Sequence, residues 1–172
     1  LVQDWYTWEE GLWGEKIFDK KRYPDLPGTV DELHKKNIKC MVSVWPNMNP
    51  ESSNYNEFVQ RNQLLPNSNV YDAYDESGRE LYFKQCREEI LAAGTDAFWC
   101  DNAEPFSDAD WSGIYRKPEN ERYQVVVEES KKSMEWERLN SYGLYHAKGI
   151  YENWRKWIPD KRVMNLTRSG YA

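Results

Sequence analysis

An α/β protein built on a parallel sheet is predicted by three features of this 172-residue sequence. Short apolar runs recur between helix-length segments, at Leu1–Val2, Cys40–Trp45, Ala97–Cys100 and Arg162–Leu166. The run at Cys40–Trp45 is apolar almost throughout, the pattern of parallel strands buried on both faces. Polar or aromatic residues sit where these runs end: Asp4 follows the first, Trp45 ends the second, Asp101 follows the third and Arg168 follows the fourth. Parallel neighbours need right-handed crossovers, which the intervening segments supply as helices.

Taken in order, the opening strand at Leu1–Val2 leads into a long loop that carries Trp5, Trp8 and Trp13 around Asp4. Thr29-Val30-Asp31-Glu32 fits a capping box, predicting a short helix from Leu33 to about Lys36. The second strand, Cys40–Trp45, is stopped by Pro46. Residues 47–75 are rich in Asn, Ser, Pro and Tyr and read as an excursion with a helix around Tyr55 to Asn62. Ser77-Gly78-Arg79-Glu80 offers a second capping box. Phe83, Cys86, Ile90 and Ala93 then follow at helical spacing, with Gly94 as a left-handed cap. After the third strand, residues 104–140 are heavily charged and read as an inserted loop plus helix. Leu144, Ala147, Ile150 or Tyr151, Trp154 and Trp157 form an amphipathic stripe ahead of the fourth strand.

About four strand–helix units fit this length, whereas a closed eight-stranded barrel takes about 250 residues. Residues 1–172 are therefore expected to form part of one (β/α)8 TIM-barrel domain, about half of the barrel, with both ends lying inside a longer chain. An open doubly wound sheet is the alternative, but neither a G-x-G-x-x-G nor a G-x-x-x-x-G-K-[ST] loop follows any strand. Active sites of such barrels are built at the C-terminal ends of successive strands, so Asp4, Trp45, Asp101 and Arg168 are expected at one mouth.

Composition narrows the function classes. The 23 basic and 29 acidic side chains give a net charge of −6, the wrong sign for holding nucleic acid. No run approaches the roughly 18 to 20 apolar residues that a bilayer span requires. Hydrophobic content of 40% with 15% aromatic residues is ample for a packed core, and aromatic faces beside carboxylates suit neutral polar ligands such as sugars. Cys40, Cys86 and Cys100 have neither disulfide-framework nor metal-ligand spacing and read as small buried residues. His34 and His146 read as packing or surface residues, and Trp154 and Trp157 as core. No cofactor and no metal are expected.

Trp99-Cys100-Asp101-Asn102-Ala103-Glu104-Pro105 resembles the nucleophile motif W-x-D-x-x-E-P of glycoside hydrolase family 31, the retaining α-glucosidase and α-xylosidase family. Four further segments are similar to that family in the same order. They are Leu1 to Trp8 (LVQDWYTW), Phe18-Asp19 through Tyr23-Pro24-Asp25, Val30-Asp31-Glu32-Leu33-His34 followed by Ile38-Lys39, and Leu166-Thr167-Arg168-Ser169. The resemblance implies double displacement on an α-glycoside: Asp101 attacks the anomeric carbon, and a second carboxylic acid, beyond Ala172, protonates the leaving oxygen and then deprotonates water. It further implies that Asp4 accepts hydrogen bonds from sugar hydroxyls and that Trp45 and Trp99 line the sugar subsite. Arg168 would keep the nucleophile charged and bind hydroxyls. Glu104 would brace the nucleophile loop, and Asn102 would shape the subsite beside it.

The Q-D-W-x-x-W opening and the D-N-A-E-P form look closer to α-xylosidase-like members, with α-glucosidase as the alternative. A non-catalytic carbohydrate-binding fragment is the reading from another class. The expected partner is an oligosaccharide or small α-glycoside, with no nucleic acid and no membrane. A half barrel on its own would expose sheet edges and an apolar face, an arrangement that favours homo-oligomers.

Overall fold

A computed structural model describes residues 1–104, 117–138 and 140–168. The sequence motifs' Pro105 and Ser169, and residues 105–116 of the charged insertion, lie outside the described residues.

Among the described residues, four strands form a parallel sheet in sequence order: β1 (Val2–Gln3), β2 (Met41–Val44), β3 (Ala97–Cys100) and β4 (Asn165–Thr167). Five α-helices accompany them: α1 (Leu26–Lys35), α2 (Ser53–Gln60), α3 (Glu76–Glu89), α4 (Glu119–Ser130) and α5 (Tyr142–Trp157). The four apolar runs all contain strands. Only β3 fills its run, while Cys40, Trp45 and 162–164 fall outside the ladder.

Helix starts differ from the two expected capping boxes. Asp25 caps α1 by accepting the Gly28 amide at 2.9 Å, with Pro27 in the first turn, so the helix begins well before Thr29. The Thr29 hydroxyl instead donates to the Asp25 carbonyl. Asp75 caps α3 by accepting the Ser77 amide at 2.8 Å. In both cases a carboxylate upstream satisfies a free helical N–H and outcompetes the hydroxyl box. Asn37 leaves α1 at φ 56°, the left-handed conformation that its side chain tolerates, and Gly94 closes the turn after α3 at φ 94°.

The register sorts the strand residues onto two faces. Val42, Val44, Phe98 and Cys100 face the helices and join Tyr71, Tyr82, Phe83, Cys86, Ile150 and Trp154 in one buried cluster. All three cysteines are buried and free. The opposite face carries Val2, Ser43, Trp99 and Leu166, of which Val2 and Leu166 are exposed.

Helix α5 packs through a face rotated from the expected stripe. His146, Gly149, Ile150, Asn153 and Trp154 are buried, whereas Leu144, Tyr151 and Trp157 are exposed. The reason lies at Gly149: a Cβ there would stand 2.6 Å from Arg79 Cδ, so a residue without a side chain lets α3 come close on that side. His146 then reaches the Tyr71 hydroxyl at 2.8 Å, and Trp157 lies under Arg87 at 4.7 Å rather than in the core. His34 is partly buried and pairs with Asp96 at 2.7 Å.

Candidate active site at the strand exits

Past the ends of β2, β3 and β4 the ladder continues for one more step, with the Asp101 amide donating to the Val44 carbonyl and the Arg168 amide to the Cys100 carbonyl. Side-chain alternation therefore puts Trp45, Asp101 and Arg168 at one level on the face away from the helices. Asp4, one residue past β1, follows the register to the level of Ser43, a step lower, and is exposed. Trp99 is half-buried on the same face.

Arg168 joins two of the acidic residues. Its Nη1 lies 3.2 Å from Asp101 Oδ1, while Nε and Nη2 grip Glu104 at 3.2 and 3.0 Å. The Glu104 contact is the two-pronged carboxylate–guanidinium geometry that fixes orientation as well as distance. Asp101 is 9% exposed and Glu104 partly buried, so the cluster lies at the rim of the sheet with one side open. Asn102 turns the chain between them at φ 50°, with Ala103 fully buried. That turn folds Glu104 back to the guanidinium, a local reason for an Asn after the carboxylate.

The β1–α1 loop supplies aromatic walls. Trp45 is only 4% exposed because Trp5 and Trp8 pack edge-on against it, at 4.8 and 5.2 Å between ring centres. Trp5 and Tyr6 are both left-handed, at φ 50° and 53°. For residues with bulky side chains this costs about 1–2 kcal/mol each, and it lays the Trp5 ring back against Trp45 while Tyr6 is exposed. Together with Trp8, Trp13 and Arg22 they border a groove of about 890 Å³. The structure thus brings Asp101, Arg168 and Glu104 into contact. It places Trp45 behind Trp5 rather than at the surface.

The family model for the glycosyl hydrolases family 31 TIM-barrel domain matches residues 1–172. The chain belongs to glycosyl hydrolase family 31. Among its relatives, an α-xylosidase of Saccharolobus solfataricus is 28% identical over 172 residues, covering 100% of this chain and 22% of the relative. An α-glucosidase of the same organism is also 28% identical, over 88% of this chain and 26% of its own length. The crystal structure of a family 31 α-xylosidase from Xanthomonas citri superposes with a TM-score of 0.75 at 30% identity, over 99% of this chain and 19% of that one. The four-stranded parallel sheet is accordingly part of a family 31 barrel, and the chain spans about a fifth to a quarter of the lengths of these relatives.

One functional candidate escaped the sequence reading. Lys16 is 2% exposed, with its ammonium on the carbonyls of Gly14 and Trp45. A lysine in a loop without periodicity gives no signal of burial. Its neighbour Gly14 offers an indirect one, because φ 79° and a Cβ position 2.0 Å from the Asn47 carbonyl oxygen require glycine there.

Proposed function

We propose that this chain carries the nucleophile half of a retaining α-glycoside hydrolase site, with α-xylosides as the preferred substrates. Asp101 attacks the anomeric carbon, and the bond to the leaving oxygen breaks as a carboxylic acid outside these residues protonates it. The same acid then takes a proton from water, which releases the sugar with its configuration retained. Two carboxyl groups about 5 to 5.5 Å apart serve this mechanism. Arg168 holds the nucleophile in place and Glu104 fixes Arg168. Asp4 and the half-buried Trp99 bind the sugar, Trp45 supports the ring of Trp5 beside it, and Asn102 sets the turn.

The observation that carries this reading is the 3.2 Å contact between Asp101 and Arg168 at the exits of adjacent strands. α-Glucosidase activity is the second reading, favoured by the equal 28% identity to an α-glucosidase and an α-xylosidase. Proton NMR of the intact protein acting on aryl α-xylosides and α-glucosides tests both. Faster turnover of the xyloside, with the α-anomer appearing first, is expected. Preference for the glucoside would transfer the assignment to α-glucosidase. Sugar binding without turnover would leave a carbohydrate-binding module.

A further inference from the structure

Lys16 occupies a buried position that costs stability, because an ammonium withdrawn from water is rarely repaid by neutral partners. Its Nζ donates to the Gly14 carbonyl at 2.6 Å and to the Trp45 carbonyl at 3.0 Å. It also stands 4.6 Å over the ring of Tyr82, whose hydroxyl donates to the same Trp45 carbonyl at 3.0 Å. Both flanks of the lysine are anchored in turn. Its own amide donates to Asn54 Oδ1 at 2.7 Å, and the Glu15 carboxylate accepts from the Ser53 amide and hydroxyl. A methionine would fill this space without the desolvation cost. What the cation adds is directional: it fastens the Gly14 end of the β1–α1 loop to the exit of β2.

We infer that Lys16 is a positioning residue, whose ammonium ties the β1–α1 loop to the β2 exit and so orients Trp45, at the level of Asp101, and the rings of Trp5 and Trp8 packed against it. Its effect on turnover rests on the proposed glycosidase activity, whereas its effect on the aromatic wall does not.

Burial pulls the Lys16 ammonium down to about 8, against the pull of the Glu15 carboxylate. The groups facing it are Glu15 in its own loop, Cys86 and Tyr82 from α3, and His146 from α5. Burial raises Cys86 to about 12 and Tyr82 well above its ordinary value, and lowers His146 to about 3, so these three keep their charge state around pH 8. The unfolded chain holds the Lys16 proton more tightly than the folded one, so folding stability rises with pH between about 8 and 10.5. Loss of the proton leaves an amine with two N–H groups, so the contacts to the Gly14 and Trp45 carbonyls lose their charge assistance and weaken without unfolding the protein.

The test is Lys16→Met in the intact protein. Expected are a kcat/KM on aryl α-xyloside lower by about tenfold, loss of any alkaline limb near pH 8, and a thermal midpoint unchanged or raised. Wild-type kcat/KM with an unchanged alkaline limb would overturn the inference. If the variant does not fold, near-ultraviolet circular dichroism of the wild type from pH 6 to 10 decides. A transition near 8 with constant far-ultraviolet signal supports the tether, and a flat near-ultraviolet signal overturns it. If the wild type turns over no α-glycoside, the proposed function fails, while the dichroism still judges Lys16.

Discussion

Arg168 grips Glu104 with two nitrogens and Asp101 with a third, so its guanidinium holds two carboxylates that would otherwise repel. Lysine offers a single point charge and cannot span both. Arg168→Lys is therefore expected to lower kcat on the proposed α-xyloside substrates by about a hundredfold through misplacement of the proposed nucleophile, with a thermal midpoint close to wild type because the arginine is exposed. Steady-state kinetics and thermal melts check this, and unchanged kcat would contradict it. At this scale the sequence was informative where chemistry and punctuation coincide. A carboxylate directly after the apolar run Ala97–Cys100 marks a strand exit, and Asn102 fits the left-handed turn that follows. The burial of Trp45 was not legible, since it depends on how Trp5 and Trp8 fold back across it.

At the scale of elements, Asp96 links three pieces of the end of the sheet opposite the site. It accepts from the Cys40 amide at 2.9 Å and from His34 of α1 at 2.7 Å, with Lys161 ahead of β4 at 3.4 Å. Burial alone would raise its carboxyl, but the Cys40 N–H, His34 and Lys161 outweigh it and hold the group at about 2, against 3.8 unperturbed. A depressed carboxylate contributes stability that is present above about pH 4 and is lost as the pH falls through about 2. Asp96→Asn is expected to lose about 2 kcal/mol at neutral pH and to flatten the acid side of the stability profile, as read by denaturant unfolding from pH 2 to 7. An unaltered profile would contradict this.

Strands and the existence of the helices were legible, because apolar runs and helical spacing are local. Helix starts and the α5 face were not. The Asp25 and Asp75 caps compete with nearby hydroxyl boxes, and the α5 face follows from the close approach of Arg79 to Gly149.

At the scale of the whole molecule, the sheet has its edges at β1 and β4, and the face bearing the candidate site carries exposed Val2 and Leu166. The site is therefore asymmetric. The helix-facing side is a packed core, while the other side carries the exposed Asp4 and Arg168, the half-buried Trp99 and the largely buried Asp101. Parallel order and family membership together account for why four residues from four separate segments come to that surface. Under the proposed double displacement, Asp101 becomes covalently attached to the sugar. An activated 2-deoxy-2-fluoro or 5-fluoro α-glycosyl fluoride that forms the glycosyl-enzyme quickly and releases it slowly, followed by peptide mass spectrometry of the intact protein, tests it most directly. One fluorosugar is expected on the peptide containing Asp101, and none in Asp101→Asn. A label on any other residue, or none in a protein that is turning over α-glycosides, would contradict it.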